Sequence, residues 1–343
     1  MKNSWKKAAG VLLASLMLMG LTGCGGEETK KEAAGSGEYA KLKTVELIGA
    51  DSAGKDSAGQ RFGELVAKNV DKITGGKLKI DYHPNSELGG DEDLLRQLKS
   101  NDIQIVVSQI APVTAIIPET AVFDMPMSFA KYDGKTIDKV LNGNGEFHKK
   151  LSGAYEKAGL HYLGILQNAT FRLTTANKDL KNLEDFKGLK IRTMSNKNHM
   201  AWPDLYFALQ SGTVDAEENA ADTIVSANFN EVQKYVADTN HILYANQICI
   251  NKKAYDSLDP AYQKALNQAV QEALKELAPT LSKVDQDNKE TLKKKGMTLV
   301  TYEKSFYDQV LALPGVQELN KKIDEQVGGL GTLLTKELDA ASK

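Results

Sequence analysis

The sequence predicts an α/β protein of two domains behind an N-terminal leader. From about residue 44, strand patterns alternate with helix patterns, which is typical of this class. The length of 343 residues exceeds one ordinary domain and is short for three. Hydrophobic residues make up 41% and charged residues 26%, as in a soluble globular chain with a sizeable core. The 43 Lys and Arg do not outnumber the 45 Asp and Glu, so no nucleic-acid partner is expected.

Residues 1–23 are predicted to be a signal peptide. A positively charged stretch, MKNSWKK, precedes an apolar stretch, AAGVLLASLMLMGL, which is shorter than the roughly 20 apolar residues of a typical transmembrane helix. It ends in the segment LTGC, which resembles the lipobox of bacterial lipoproteins and implies that Cys24 is lipidated. An ordinary secretory signal or a single anchor helix is the alternative. Residues 24–42 lack apolar periodicity and are expected to form a flexible tether.

The first domain is predicted to begin with a β-α-β-α-β unit. Strand patterns occur in TVELIGA (44–50), KLKIDYH (77–83) and IQIVVSQ (103–109), with amphipathic helices between them. The third strand is almost continuously apolar, as in a parallel sheet that is covered on both faces.

Polar residues at the ends of these strands are candidates for ligand contact. They are Asp51 and Ser52 after the first strand, and Ser108 and Gln109 at the end of the third. Turn formation or helix capping competes with that interpretation. Gln109 is the stronger candidate, because an amide that ends an apolar strand needs a partner. The acidic run at 91–93 fits the first turn of a helix better than a metal site.

The second domain is predicted to place two arginines at one cleft. In GLKIR, Leu189 and Ile191 alternate with Lys190 and Arg192, which predicts a short strand with Arg192 at its end. Open α/β sheets bind ligands beyond such ends. Arg172 follows QNATF in a similar position. Two guanidinium groups favour an anion between them, and a carboxylate fits their planar geometry best. A surface ion pair is the alternative for each arginine.

The C-terminal half contains a strand and a long helix. The strand pattern QICIN is expected to return to the first sheet, with Cys249 as a small buried hydrophobic residue. A helical pattern runs from Pro260 to about Lys295, and Pro279 either kinks it or separates two helices. The helix pattern PGVQELNKKIDEQ and the tail are expected to complete the second domain.

Five segments in order resemble the DctP family, the substrate-binding proteins of TRAP (tripartite ATP-independent periplasmic) transporters. The segments are HPNSELGGDEDLLRQLKSNDIQIVVSQ, IPETAVFDMPMSF, LEDFKGLKIR, DLYFALQSGTVDAEEN and FNEVQKYVADTNH. The resemblance covers the chain from about Thr44. It implies a periplasmic-binding-protein-like fold with a hinge, a ligand between the domains, and a long helix crossing both. It also implies an organic-acid ligand, delivery to the TRAP permease membrane subunits, no cofactor, metal or catalytic residue, and a monomer.

The same resemblance assigns roles to five residues. Arg192 in GLKIR matches the arginine that pairs with the ligand carboxylate, and Arg172 in RLTTANK matches a second arginine that supports it. Asn219 in DAEEN matches an asparagine that hydrogen-bonds the same group. Trp202 in MAW matches an aromatic residue that lines the cleft, with a core role as the alternative. Gln109 matches a polar pocket residue of the first domain.

The expected domains are 43–167 with 246–283, and 168–245 with 284–343. One departure from the family lies between Thr193 and Met200. Only six residues separate them, fewer than the family carries and fewer than the ten to twelve or so that a parallel crossover needs. The chain either takes a local detour or has lost a segment that covered core. The following helix, DLYFALQSG, is expected to stay buried through its apolar residues, including Phe207.

Two other classes of protein remain as alternatives. A secreted lipoprotein enzyme is disfavoured because the five histidines are scattered and neither H-E-x-x-H nor G-x-S-x-G occurs. His241 is interpreted as a structural histidine. A solute receptor of an ATP-driven importer is disfavoured by the long helix and by EVQKY. The expected location is outside the cytoplasm, in the periplasm or on the outer face, held to the membrane by lipid on Cys24.

Overall fold

The computed structural model describes residues 36–194 and 200–343. The predicted signal peptide, Cys24 and residues 25–35 of the predicted tether lie outside the described residues. The prediction of a flexible tether is wrong for its last part, because Ser36–Tyr39 forms a short helix and Tyr39 is buried in a core of the first sheet. Within the described ranges, no helix has the length and apolar character needed to cross a bilayer.

The strands are β1 Val45–Asp51, β2 Leu78–His83, β3 Ile105–Gln109, β4 Leu160–Leu166, β5 Leu173–Ala176, β6 Ile191–Arg192, β7 Ala216–Asn219, β8 Tyr235–Ala237, β9 Asn246–Asn251 and β10 Thr298–Val300. The α-helices are α1 Ser36–Tyr39, α2 Ala58–Thr74, α3 Asp91–Ser100, α4 Gly134–Leu141, α5 Glu146–Lys157, α6 Leu205–Ser211, α7 Ala221–Ser226, α8 Lys252–Ser257, α9 Pro260–Lys294, α10 Lys304–Ala312, α11 Pro314–Gln326 and α12 Leu330–Ala341. Short 3-10 helices cover Ala111–Ala115, Pro118–Asp124, Leu183–Phe186, Trp202–Asp204 and Phe229–Glu231.

The first sheet has the strand order β2-β1-β3-β9-β4. β1 pairs in parallel with β2 and β3, as the alternating pattern predicts, and α2 connects β1 to β2. Gly75 ends α2 in the left-handed conformation with φ of 60°, which suits a residue without a Cβ. β9 returns to this sheet antiparallel to β3, and its Cys249 is buried. The register places Gln109 opposite Asn246 at the sheet edge.

The second sheet has the strand order β10-β8-β5-β7-β6. β6 is only two residues long and pairs in parallel with β7, so Arg192 lies opposite Glu217. β5 is antiparallel to both β7 and β8. The edge strand that carries Arg192 therefore pairs with one neighbouring strand only, and its position also depends on side-chain packing around it.

Helix α9 contacts both cores. Its 35 residues continue through Pro279, so the proline does not separate two helices. The Asp259 side chain caps its start by accepting a hydrogen bond from the Ala261 backbone N–H. Val270 is buried in the core of the first sheet, and Leu292 is buried in the core of the second. This is the domain-spanning helix that the sequence predicts.

The C-terminal helices α11 and α12 do not belong to the domain to which the sequence analysis assigned them. The sequence places 284–343 in the second domain, but α11 and α12 contribute Ile323, Leu330 and Leu334 to a core of the first sheet. That core also contains Phe147 of α5. An amphipathic pattern shows that one helix face is buried, but it does not show which core covers that face. The assignment of 314–343 to the second domain is therefore wrong.

The short connection after β6 leads through Trp202–Asp204 into α6. Leu205, Ala208 and Leu209 are buried, as predicted for this helix. Phe207 is not buried: it is 69% exposed, so its predicted burial is wrong. Residues three and four positions apart share a helix face, whereas a residue two positions away points to the opposite side. One face of α6 thus still finds the core, and Phe207 faces solvent.

Candidate functional site

A cavity of about 410 Å³, counted with its solvent-open part, lies where the edges of the two sheets meet. Ser52, Ser108 and Gln109 line it from the strand ends of the first sheet. Met194 and Trp202, which flank the short connection, line it from the second. The open ends of α/β sheets are the usual place for ligands. Of the five predicted site residues, Gln109 and Trp202 are wall residues of this cavity.

Arg192 lies beside Trp202, one of the residues that line this cavity. Its side chain is buried, with 6% exposure. Nε and Nη2 donate to the Met200 carbonyl at 3.3 and 3.2 Å, while Nη1 is buried without a hydrogen-bond partner. The guanidinium lies 5.9 Å from the centre of the Trp202 ring. Burial lowers its pKa and the nearby Glu217 and Glu218 raise it, but an arginine keeps its charge in proteins. A charged group with an unused N–H next to a cavity is a ready anion donor.

Arg172 is more fully engaged than Arg192. Its Nη1 donates to Glu218 Oε1 at 2.6 Å, in an ion pair whose two side chains are each 4% exposed. Its Nη2 donates to Gln109 Oε1 at 2.6 Å and contacts the Met194 sulfur at 3.2 Å. Only Nε is buried without a partner. The surface ion pair that was the alternative for Arg172 is therefore absent from the described contacts, and the arginine holds the two sheets together.

Asn219 completes a chain of hydrogen bonds across the cleft. Gln109 Nε2 donates to Asn219 Oδ1 at 3.3 Å, and Asn219 Nδ2 donates to Glu217 Oε2 at 3.3 Å. The structure thus connects Gln109, Arg172 and Asn219 directly, and β-sheet pairing sets Arg192 beside Glu217. Trp202 combines the two roles considered for it, cleft lining and core packing. It lines the cavity and also packs edge-on against Phe229 of the core.

The sequence analysis missed the buried carboxylates beneath the site. Glu217 is fully buried and accepts a hydrogen bond from Thr175 Oγ1 at 2.9 Å. Burial raises the pKa of Glu217 to about 7, and the charge of Glu218 adds to the shift. Burial likewise raises the pKa of Asp124 to about 7, against the lowering effect of Arg172. Glu217 and Glu218 are adjacent in the four-residue strand AEEN, so their side chains point to opposite faces of the sheet. Since a sheet of an α/β protein is covered on both faces, the sequence could have indicated that both acids are buried.

His241 belongs to the same cluster. Its Nδ1 is 3.0 Å from Thr239 Oγ1, and its Nε2 is 3.7 Å from Glu218 Oε2. Burial lowers the pKa of His241, and Glu218 opposes that shift. These contacts agree with the structural role predicted for it.

The other strand-end candidates divide into two groups. Asp51 is buried and accepts hydrogen bonds from the Tyr82 hydroxyl and from the backbone N–H of Ala53 and Asn85. It serves the local turn, which was the competing interpretation. Ser52 and Ser108 face the cavity. In the described part of the chain, no group of acidic, histidine or cysteine side chains is arranged to hold a metal ion.

Two mixed sheets, a cavity at their meeting edges and a helix that crosses both cores define a periplasmic-binding-protein-like fold. Within that class, the chain belongs to the DctP family of TRAP solute-binding proteins. The family model "Bacterial extracellular solute-binding protein, family 7" matches residues 49–310. The fold class and the family predicted from the sequence are confirmed.

Several relatives are similar over most of their length. The C4-dicarboxylate-binding periplasmic protein DctP of Rhodobacter capsulatus is 28% identical over 288 residues, covering 78% of this chain and 83% of the relative. The sialic acid-binding periplasmic protein SiaP of Vibrio cholerae is 27% identical over 290 residues, covering 77% and 84%. The crystal structure of a TRAP periplasmic solute-binding protein from Polaromonas, bound to D-erythronate, aligns with a TM-score of 0.74 at 27% identity and covers 84% and 98%.

Proposed function

We propose that the protein is the extracytoplasmic solute-binding component of a TRAP transporter. In this proposal it captures an organic acid by its carboxylate and delivers the acid to a membrane permease. Binding without catalysis is inferred, since the named relatives are solute-binding proteins. The observation that carries the proposal is the buried Arg192, whose Nη1 has no hydrogen-bond partner and whose guanidinium lies beside Trp202 of the cavity wall.

The ligand carboxylate is proposed to reach Arg192 between Met194 and Trp202. Met194 lines the cavity and covers Arg172, with its sulfur 3.2 Å from Arg172 Nη2. A methionine side chain is unbranched and adaptable, so it can move aside for a ligand. The carboxylate would then take the unused Nη1 of Arg192, while the Met200 carbonyl keeps the orientation of the guanidinium. Asn219 is proposed to bind the same carboxylate through its amide.

Arg172 is assigned a supporting role in this arrangement. Its two Nη atoms are held by Glu218 and Gln109, so it contributes positive charge and rigidity more than free donors. A charge-assisted hydrogen bond contributes about 1.5–3 kcal/mol. Micromolar affinity needs about 8 kcal/mol, so two or three such bonds suffice only in a preorganised site. The fixed guanidinium groups supply that preorganisation.

Closure of the two domains over the ligand is proposed to use the contacts that join the sheets. Gln109 of β3 contacts both Arg172 and Asn219 of the second sheet. The backbone N–H of Ala58 at the start of α2 donates to Asp222 Oδ2 of α7 at 3.0 Å. Breaking these few contacts would open the cleft, while α9 keeps the domains connected.

Calorimetric titration with a library of organic acids tests this function. We expect at least one carboxylic acid to bind, and we expect Arg192→Ala to abolish that binding while the thermal unfolding curve stays cooperative. Arg192→Lys keeps the charge but loses the planar donor geometry, so it should retain only weak binding. Unchanged affinity in Arg192→Ala would contradict the proposal.

Attachment of the mature chain to the membrane through lipid on Cys24 is also proposed. The LTGC segment supports it. A Cys24→Ser variant should appear in the soluble fraction, whereas the unchanged chain stays with the membranes. Equal partitioning of the two would contradict the anchor but not the solute-binding function.

A further inference from the structure

Four buried charged side chains come together at the proposed carboxylate site. This charge cluster consists of Arg172, Arg192, Glu217 and Glu218. None of the four is more than 6% exposed, so solvent and salt screen their charges little. With both glutamates ionised, the two positive and the two negative charges cancel. A ligand carboxylate is then an additional negative charge that enters a buried cluster which is already neutral.

The two glutamates of the charge cluster differ in what balances their charge. Glu218 forms the 2.6 Å ion pair with Arg172, so its negative charge has a direct partner. Within the described part of the chain, Glu217 has no ion pair and accepts hydrogen bonds from neutral groups, Thr175 Oγ1 at 2.9 Å and Asn219 Nδ2 at 3.3 Å. A nearby positive charge favours the ionised form of a carboxylate, and burial disfavours it. Glu217 is therefore the member of the cluster that takes up a proton most readily.

Glu217 is also adjacent to both groups that are proposed to hold the ligand carboxylate. It lies opposite Arg192 on the neighbouring parallel strand, and its Oε2 accepts a hydrogen bond from Asn219 Nδ2. An amide nitrogen has two hydrogens, so Asn219 can donate to Glu217 and to the ligand at the same time. Two carboxylates held by one amide repel each other when both are ionised. For charges about 6 Å apart at an effective dielectric constant near 20, the second charge changes the proton affinity of the first on the order of 100-fold.

Building on the proposed function, we propose that Glu217 is a proton-binding site that is coupled to the ligand. The organic acid binds as its anion, and one proton passes from water to a carboxylate oxygen of Glu217, so the charge cluster gains no net charge. Burial raises the pKa of Glu217 to about 7, with a further contribution from Glu218 and an opposing one from Arg192. This pKa places the uptake in the neutral range. Because coupling between two sites is reciprocal, the protonated form of Glu217 binds the anion more tightly than the ionised form.

Three other titratable groups act on the neighbours of the proposed proton site. Asp124 acts on the ion pair of Glu218, and His241 Nε2 lies 3.7 Å from Glu218 Oε2. Asp91 acts on the guanidinium of Arg192. Burial lowers the pKa of His241, whereas it raises the pKa of Asp124 to about 7. Asp124 is therefore the main competitor for the proton.

Calorimetric titration at several pH values measures the proton directly. The probe is whichever of D-erythronate, sialic acid and L-malate binds the unchanged chain most tightly. These acids represent the ligands of the named relatives, and their carboxyl groups are ionised between about pH 6 and 8. Each titration is repeated in phosphate and in Tris, whose different ionisation enthalpies give the number of protons taken up per ligand. We expect this number to rise from about zero at pH 6 to about one at pH 8, and the Kd to increase about tenfold over the same range.

Three variants assign the proton to one side chain. Glu217→Gln preserves the size of the side chain but cannot take up a proton, so its Kd should stay constant over this pH range, without proton uptake. Asp124→Asn is the matched control: it removes the competing acid and should keep the proton uptake of the unchanged chain. Thr175→Val removes the hydroxyl group that donates to the ionised Glu217, so the pH at which the affinity begins to fall should move upward.

The outcomes separate the two proposals. If the probe binds the unchanged chain equally tightly at both ends of the pH range and without proton uptake, the proton site is overturned while the solute-binding function stands. If uptake persists in Glu217→Gln or disappears in Asp124→Asn, the assignment to Glu217 is overturned. Should Glu217→Gln fail to fold, an unshifted pH profile in Thr175→Val overturns the assignment instead. If none of the three acids binds the unchanged chain, the solute-binding function fails for these acids and the proton site fails with it.

Discussion

The buried ion pair between Arg172 and Glu218 allows the roles of the two arginines to be separated by experiment. Both side chains are 4% exposed, and their closest atoms are 2.6 Å apart. Removing one member leaves the other charged group buried without its partner, which typically costs about 3–5 kcal/mol. We therefore expect Arg172→Met to lower the free energy of unfolding by about that amount. Methionine preserves much of the side-chain length, so a packing defect contributes little.

The partner substitution is expected to be milder. Glu218→Gln keeps an oxygen that can accept from Arg172 and from the Met194 backbone N–H, which lies 3.2 Å from Glu218 Oε1. It still leaves the guanidinium without a counter-charge at that position. In the double variant both charges are gone, so the total loss should be smaller than the sum of the two single losses. A coupling free energy of about 1–3 kcal/mol is expected for groups in direct contact.

Urea unfolding of the four proteins, followed by circular dichroism, measures this cycle. The pair between Arg96 and Asp93 provides the control: their nitrogen and oxygen are 2.8 Å apart, but the side chains are 72% and 50% exposed. Its cycle should give less than about 1 kcal/mol. A loss below 1 kcal/mol in Arg172→Met, or additive losses in the double variant, would refute the view that Arg172 is mainly a structural support.

Three further predictions concern binding, pH and the surface. Arg192→Ala should lose organic-acid binding with a smaller stability loss than Arg172→Met, because Arg192 has no carboxylate partner within the described contacts; the reverse order in urea unfolding would contradict this. The pKa of Glu217 rises from 4.5 to about 7 on folding, so its contribution to stability is full below pH 4.5 and is lost as pH rises through 7. Glu217→Gln removes this titration, so the free energy of unfolding of the variant should depend less on pH between 4.5 and 7 than that of the unchanged chain. Identical pH profiles of the two proteins would argue against this role of Glu217. Phe207→Ser should change stability by no more than about 0.5 kcal/mol, since Phe207 is 69% exposed; a larger loss in thermal unfolding would show that this ring is covered in solution.

The sequence alone determined the class, the family and most of the secondary structure. The early strands were predicted from alternating apolar residues, because side chains on a strand alternate between its faces, and for β3 from an almost continuous apolar run. The left-handed Gly75 at the end of α2 and the capped start of α9 follow from local chemistry within a few residues. Local sequence patterns therefore predicted the helices and strands, and they placed Gln109 and Arg192 correctly at the ends of their strands.

The tertiary structure decided what those residues contact. No local pattern distinguishes Arg172, which is paired with Glu218, from Arg192, whose Nη1 has no partner, since both follow from packing between segments distant along the chain. The same holds for the core covered by α12 and for the exposure of Phe207. Burial and partner choice depend on which surfaces meet, and the free energy of a buried charge depends on its surroundings far more than on its neighbours in sequence.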